Sequence, residues 1–204
     1  MNAAAMVLSR LYSQHLASRW LHTPDALVKW LTSLQAQDYV GALWSIGVRL
    51  PGTTEAEIER AIADRRILRS WLMRGTLHLV AAEDIVWLTA LIAPGVIAGS
   101  VRRCRQLELD EATLRRASDR IAAAFAADAH AQFTRTELLA VLESDGISTV
   151  GQRGYYLLQR AALDGVVAQT GMQGRESRFV QMPAGQPLDE PAAAALLARR
   201  YFAS

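Results

Sequence analysis

The most informative stretch of the chain is ILRSWLMRGTLHLV, residues 67–80. Its β-branched, aromatic and other apolar residues predict two short strands over residues 67–73 and 76–80. Arg74 and Gly75 lie between the two runs and supply the turn. The stretch is therefore expected to form a β-hairpin.

Helical patterns surround this hairpin. Thr53, Thr54 and Glu57 make a cap-like start to the helix that immediately precedes it and ends near Arg65. Apolar residues spaced three and four apart predict the other helices. Their expected ranges are about 6–20, 24–36, 40–49, 82–92, 94–107 and 111–128.

The second half of the chain repeats the order. Thr134 opens a helix to about residue 144, and Ser148 or Thr149 opens another that ends near residue 164. Strands at 166–169 and 177–181 then form a second hairpin with a glycine-rich tip at 171–174. A faint internal repeat supports this alignment. The matching residues are Arg60, Ala61 and Asp64 in the first half and Arg160, Ala161 and Asp164 in the second.

Helix, helix, hairpin is the order of a winged helix. The expected fold is therefore mainly α with short β-hairpins, arranged as tandem winged-helix (helix-turn-helix) domains. Residues 1–108 form the first unit with its flanking helices, and residues 109–183 form the second. Three prolines, at positions 183, 187 and 191, lie at or after the end of the second unit, and a helix is expected over 190–201. We interpret residues 184–204 as a linker and the opening helix of a missing third unit.

The composition excludes several classes of protein. The chain has 204 residues, of which 51% are hydrophobic, and a formal net charge of +2, so disordered and fibrous classes do not fit. Cys104 is the single cysteine, and the four scattered histidines offer no zinc-site spacing. Neither a signal peptide nor a membrane span is predicted, because the apolar runs are too short. We expect no metal, no cofactor and a bacterial cytoplasmic location.

Positive charge is unevenly distributed. Between residues 65 and 105 there are seven arginines against Glu83 and Asp84. Such a cluster is a candidate phosphate-binding face. The alternative is that an arginine-rich composition simply populates solvated helix faces.

Most catalytic signatures are absent, including a glycine-rich phosphate loop, a nucleophile elbow and a Cys-His arrangement. The remaining unusual segment is SLQAQDY, residues 33–39. On a helix Gln35 and Gln37 would lie about 200° apart, so they converge only if the backbone leaves helical geometry. In the alternative interpretation, Asp38 caps the next helix and the two glutamines satisfy backbone groups.

Together, the Gln-Ala-Gln-Asp segment at 35–38 and the Arg-Gly-Thr-Leu-His segment at 74–78 resemble a known family. That family is the AlkZ and YcaQ-like winged-helix DNA glycosylases, and the resemblance runs from about Leu8 to the end of the chain. It implies tandem winged helices that continue into a third one and a small β domain. By this resemblance the chain reaches only the start of the third unit and is truncated.

The resemblance also implies a reaction. The catalytic signature of the family is Gln, an apolar residue and then Gln or Asp, which falls on Gln35, Ala36 and Gln37. The implied partner is double-stranded DNA with N7-alkylated purines or crosslinks through guanine N7. Such a cationic purine leaves readily, so two carboxamides that orient water suffice without a strong acid. Asp38 either supplies negative charge to the site or is structural.

Candidate DNA contacts follow from the two hairpins. In the first, Arg69 and Arg74 are predicted to contact phosphates, and Thr76 or His78 to donate to the sugar-phosphate. The alternative for His78 is a buried ring that satisfies a backbone carbonyl, and Trp71 is predicted to be in the core. In the second unit the candidates are Gln152, Arg153 and Tyr156 on the helix and Arg175 and Arg178 on the wing. The alternative is that these helix faces pack on each other.

Lysine usage predicts a monofunctional enzyme, and we also expect the protein to be a monomer. Strand cleavage by a glycosylase generally needs an amine for a Schiff base, and Lys29 is the only lysine. Two alternatives to an enzyme remain open. One is a non-catalytic winged-helix DNA-binding or regulatory protein, and the other is a helical interaction domain that does not touch nucleic acid.

Overall fold

The computed structural model describes residues 3–17, 20–128 and 130–204. Its α-helices are α1 Ala3–Ser13, α2 Pro24–Trp30, α3 Tyr39–Gly47, α4 Glu55–Ala63, α5 Ile85–Gln106, α6 Glu111–Phe125, α7 Arg135–Ser144, α8 Arg153–Leu163 and α9 Glu190–Ala203. Its strands are β1 Leu34–Gln35, β2 Ile67–Trp71, β3 Leu77–Ala81, β4 Phe133–Thr134, β5 Val167–Gln173 and β6 Glu176–Gln181, with a 3₁₀ turn over Met73–Gly75. Ser18 and Arg19, near the end of the predicted 6–20 helix, lie outside the described residues.

The described strands form one sheet in the order β1-β3-β2-β5-β6-β4, and every pairing is antiparallel. The two predicted hairpins, β2/β3 and β5/β6, lie side by side at its centre because Arg69 of β2 also pairs with Gln169 of β5. The mainly helical class with short hairpins is therefore confirmed. The winged-helix assignment and the boundaries at residues 108 and 183 stay predictions.

Three apolar clusters hold the helices on the sheet. One gathers residues of α6, α7 and α8 with Trp71 and Leu77, and Trp71 is only 4% exposed, as expected of a core residue. A second cluster lies between α2, α3, α4 and Leu79. The third places α5 and α9 against Val80 and Val180. Leu79 and Val80 are adjacent in β3 and enter different clusters, because side chains alternate across a strand.

Two capping boxes start helices where the sequence indicates them. At the start of α4, the Thr54 amide donates to Glu57 at 2.7 Å, and the Glu57 amide donates to the Thr54 hydroxyl at 3.3 Å. Thr134 and Glu137 repeat the arrangement at the start of α7. Each box satisfies two backbone N–H groups that a helix start otherwise leaves unpaired.

Three predicted helix boundaries are wrong. The helix expected over about 6–20 ends at Ser13. The helix expected over 24–36 ends at Trp30, because Thr32 adopts a left-handed conformation with φ of 65° and the chain then becomes β1. The helix expected to open at Ser148 or Thr149 begins at Arg153. There the Thr149 amide and hydroxyl donate to the Glu143 carboxylate at 2.6 and 2.7 Å instead of capping α8.

The helices expected at 82–92 and 94–107 are one helix, α5, which continues through Pro94. Proline removes one hydrogen bond to the carbonyl four residues earlier. Ala90 and Pro94 are both exposed, so solvent can serve that carbonyl. By length and composition alone α5 is also able to cross a membrane. This is weak evidence, because core helices of soluble proteins meet the same two criteria.

A buried ion pair attaches α9 to α5. The Arg200 guanidinium donates to both Asp84 oxygens at 2.5 and 3.1 Å, and Trp87 Nε1 donates to Asp84 at 2.8 Å. The Asp84 side chain is only 4% exposed. Removal of one partner from such a pair leaves a buried charge without compensation.

We expect Asp84→Ala to lower the free energy of unfolding by about 3 kcal/mol, because it leaves Arg200 unpaired. The neighbouring substitution Glu83→Ala is the matched control. Glu83 pairs with Lys29 at 2.8 Å on the surface, where a pair contributes under about 1 kcal/mol. Urea unfolding compares the two variants, and equal losses would contradict the assignment.

Candidate functional site

The structure places the glutamine segment on an edge strand of the sheet. Gln35 lies directly opposite His78 in the β1–β3 pairing, and the Ala36 amide donates to the Leu77 carbonyl at 2.8 Å. Gln35 and Gln37 are exposed, whereas Ala36 between them is fully buried. The backbone therefore does leave helical geometry here, as convergence of the two glutamines requires. Of the two glutamines, however, Gln37 lines the cavity described next and Gln35 does not.

The carboxamide of Gln37 is held in one orientation. The Leu77 amide donates to Gln37 Oε1 at 3.1 Å. Since a backbone N–H can only donate, the oxygen of the carboxamide must face Leu77, and its NH₂ group remains available as a donor.

Gln37 opens onto a cavity of about 430 Å³, which we call the Gln37 cleft. It lies between the glutamine segment, the two hairpins and the starts of α7 and α8. Its lining residues are Gln37, Tyr39, Arg69, Trp71, Leu77, Arg135, Tyr155, Leu158, Gln169, Met172, Arg175, Glu176, Ser177 and Phe179.

Arg69 is the central side chain behind this cleft. Its Nε and Nη2 donate to the Ala36 carbonyl at 3.0 and 2.7 Å. Its Nη1 donates to Gln169 Oε1 and to Ser177 Oγ, both at 3.1 Å. The side chain is 6% exposed and its donors serve the protein itself, and the predicted phosphate contact of Arg69 stays a prediction. Burial lowers the pKa of the Arg69 guanidinium, which nevertheless stays protonated.

Tyr39 packs beside Arg69, with the guanidinium carbon 5.7 Å from the centre of its ring. Burial, followed by the charge of Glu59, raises the pKa of Tyr39 to about 12. Its hydroxyl is buried and has no hydrogen-bond partner in the described part of the chain. The tyrosine therefore stays neutral and contributes a ring rather than an ionisable group.

His78 and Thr76 serve the hairpin turn. His78 Nδ1 lies 2.9 Å from the Thr76 carbonyl, and the Thr76 hydroxyl donates to the Met73 carbonyl at 3.1 Å. Because a carbonyl only accepts, Nδ1 carries the proton of the neutral ring and Nε2 is an acceptor. These bonds use the donors of both side chains within the turn, and donation from Thr76 or His78 to DNA stays a prediction. The alternative of a buried His78 bound to a backbone carbonyl is confirmed.

Burial lowers the pKa of His78, although its bond to Thr76 acts in the opposite direction and the nearby charge of Arg74 adds to the lowering. The ring is thus neutral near pH 7.

Asp38 occupies the N-cap position of α3, but its side chain makes no capping hydrogen bond. Its carboxylate is exposed and leans over Gly41, where an added Cβ would lie 2.6 Å from Oδ2. Gly41 thus leaves room for the carboxylate next to Gln37. The alternative interpretation, that Asp38 caps the next helix, is correct for its position, but its side chain does not make the capping hydrogen bond.

Two predicted DNA contacts of the second unit, Gln152 and Arg153, make hydrogen bonds within the protein. Gln152 is exposed and accepts from Arg103 at 2.8 and 3.2 Å. Arg153 donates to the carbonyls of Leu107 and Glu108 at the end of α5 and to that of Ser148. Those bonds attach Arg153 to the protein itself, and its contact with DNA stays a prediction.

Four predicted contacts lie at the surface or in a groove. Arg175, at the tip of the second hairpin, is exposed and lines the Gln37 cleft. Arg178 donates to Gln132 at 3.1 Å. Arg74 and Tyr156 line a separate groove of about 640 Å³ along α5. The structure therefore brings Arg175, but not Arg74 or Tyr156, to the same cavity as Gln37.

Sequence reasoning missed several residues of the cleft. Arg135 follows the capping threonine of α7 and reads as an ordinary helix residue. The Tyr155 hydroxyl accepts from Trp71 Nε1 at 3.0 Å, so Tyr155 joins α8 to the first hairpin. Gln169 and Ser177 became significant only through their bonds to Arg69.

Comparison with known proteins supports the family resemblance. Residues 28–204 match the family model described as DNA glycosylase AlkZ-like. No curated protein matches the chain significantly. Among solved structures, Streptomyces sahachiroi DNA glycosylase AlkZ has a TM-score of 0.81 and 20% sequence identity. That match covers 99% of this chain and 57% of the other, so this chain spans little more than half of that protein.

We expect acidification to destabilise the protein through His78. Burial depresses the pKa of His78 in the folded state below its ordinary value of about 6.5, so the unfolded chain takes up the proton more readily. The contribution of His78 to the free energy of unfolding is complete above about pH 6.5 and is lost as the pH falls through the folded-state pKa. Urea unfolding at about pH 7.5 and 5 measures it.

His78→Asn is expected to reduce the difference between these two pH values. The exposed His22 provides the control, and His22→Asn is expected to retain the wild-type difference. An unchanged difference in His78→Asn contradicts the protonation assigned to the ring.

Proposed function

The chain belongs to the AlkZ-like DNA glycosylase family, and from this premise we propose that it hydrolyses the N-glycosidic bond of N7-alkylated purines in double-stranded DNA. Crosslinks tethered through guanine N7 fall within the same chemistry. The observation that carries the proposal is the fixed carboxamide of Gln37, which is exposed at the mouth of the cleft next to a second exposed glutamine.

The leaving group determines what the protein must supply. Alkylation at N7 leaves the purine with a positive charge, so the purine accepts the electron pair of the C1′–N bond without being protonated first. The barrier therefore lies in the placement of water and in the positive charge that develops on the sugar. Neutral carboxamides meet the first requirement, because they orient water through both donors and acceptors.

Gln37 is proposed to position the water. Its oxygen accepts from Leu77, which leaves its NH₂ group available to donate to the oxygen of water. The water oxygen forms the new bond to C1′ as the bond to the purine breaks, and the released proton passes to solvent. Gln35, on the adjacent exposed position of β1, supplies a carboxamide oxygen toward the developing positive charge.

Asp38 is proposed to add negative charge near the sugar. Its carboxylate is exposed, is free of a capping bond and stands over the space left by Gly41. A full negative charge next to an oxocarbenium-like sugar stabilises it electrostatically. Gln35 and Gln37 lack that charge.

The location of Lys29 supports a monofunctional enzyme. Its amine, the only one among the side chains, lies 2.8 Å from Glu83 on the surface. A protonated, paired amine is not a nucleophile. We propose base release without cleavage of the DNA backbone.

Gln37→Ala is expected to reduce the rate of N7-methylguanine release from methylated duplex DNA at least about 100-fold, because the water loses its positioning donor. Gln181→Ala is the matched control, since Gln181 is an exposed glutamine on β6 of the same sheet. We expect this control to release base at the wild-type rate. Full activity of Gln37→Ala would overturn the proposed role of the motif.

The same assay distinguishes the non-catalytic alternative. A DNA-binding or regulatory protein of this fold would bind duplex DNA in a salt-dependent manner and release no base. The exposed Arg175 and Arg135 favour DNA binding in either case.

A further inference from the structure

We propose that the Gln37 cleft is a binding site for a backbone phosphate of the strand that carries the damaged nucleotide. The inference rests on the proposed function, because it assigns the group that enters the cleft next to the catalytic glutamine. It excludes the alternative that the cleft receives the alkylated purine itself.

The lining of the Gln37 cleft has more basic than acidic side chains. The described lining contains three arginines, Arg69, Arg135 and Arg175, and one carboxylate, that of Glu176. This carboxylate accepts from the Thr136 hydroxyl at 2.6 Å and from its amide at 3.2 Å, and these bonds lower the pKa of Glu176. The cleft is therefore positively charged near neutral pH, and its acidic group is already bound to the start of α7.

The positive charge of Arg69 is not neutralised by its hydrogen-bond partners. These partners are a backbone carbonyl, a carboxamide and a hydroxyl, none of which carries a negative charge. Arg69 is 6% exposed, so water screens its charge poorly. An N7-alkylated purine is a cation and is repelled by this charge, whereas a phosphodiester is an anion and is attracted.

Two exposed arginines from different elements line the same cleft. Arg175 comes from the tip of the second hairpin, and Arg135 is the first residue of α7. Both are exposed and both line the cleft. In the described part of the chain, Arg175 makes no ion pair and Arg135 interacts with Glu176 electrostatically. Guanidinium groups bind phosphate oxygens in a bidentate geometry, so two of them around one cavity suit a single phosphate.

The experiment is duplex binding by the full chain as a function of salt concentration, with Arg135→Gln and Arg175→Gln measured separately. Each loss of a phosphate contact is expected to reduce the slope of log affinity against log salt by about one and to weaken binding roughly fivefold near 0.15 M salt. Arg115→Gln is the matched control, since Arg115 is 72% exposed on α6 and outside the cleft lining. Arg175→Lys is expected to retain the wild-type slope, because the positive charge remains.

The duplex is used in two forms, one undamaged and one with a stable abasic-site analogue. A phosphate site predicts the same loss on both forms. A loss confined to the abasic duplex would assign the two arginines to the lesion nucleotide and not to a phosphate that both duplexes share. Slopes equal to that of Arg115→Gln would place the phosphates elsewhere. Either result overturns the inference, as does absence of binding at low salt.

Base release from methylated DNA, measured in parallel, separates this inference from the proposed function. Reduced slopes without any base release would overturn the glycosylase proposal and leave the phosphate site intact. Base release with unchanged slopes would leave the glycosylase proposal intact and overturn the phosphate site.

Discussion

The guanidinium of Arg69 joins the three parts of the structure on which the candidate site depends. It originates from β2, grips the carbonyl of Ala36 with two donors and reaches Gln169 and Ser177 of the second hairpin with a third nitrogen. A charge buried in this way costs several kcal/mol in lost hydration unless its donors are satisfied. The glutamine segment at the edge of the sheet and the second hairpin must therefore keep their relative positions for Arg69 to remain bonded.

This constraint explains the form of the site. Ala36 is drawn into the sheet, so the glutamines on either side of it are turned outward. The β2–β5 pairing at Arg69 and Gln169 brings the second hairpin beside the first, and the Gln37 cleft is the space between them. The same side chain that holds the backbone of the motif also gives the cleft its buried positive charge. Architecture and electrostatics of the site thus have one common origin.

Local signals in the sequence predicted part of this arrangement. The hairpin over 67–80, the capping box of Thr54 and the helix start at Thr134 depend on nearby residues, and all three are present. The two motifs identified the family correctly. The role of Arg69 was not predictable, because a charged residue in a strand is ordinarily exposed, and its partners lie 100 and 108 residues away. Strand β1 has only two residues and exists through its pairing with β3, so no local pattern marks it.

The central claim is that the chemistry takes place at the exposed glutamines while the neighbouring cleft holds the DNA backbone. A crystal structure of the chain with duplex DNA that contains a stable abasic-site analogue tests it most directly. The account predicts the sugar of the abasic nucleotide beside Gln35 and Gln37 and an adjacent phosphate between Arg135 and Arg175. An abasic site bound in the groove along α5, or an abasic sugar inside the Gln37 cleft with no phosphate on the two arginines, would contradict it.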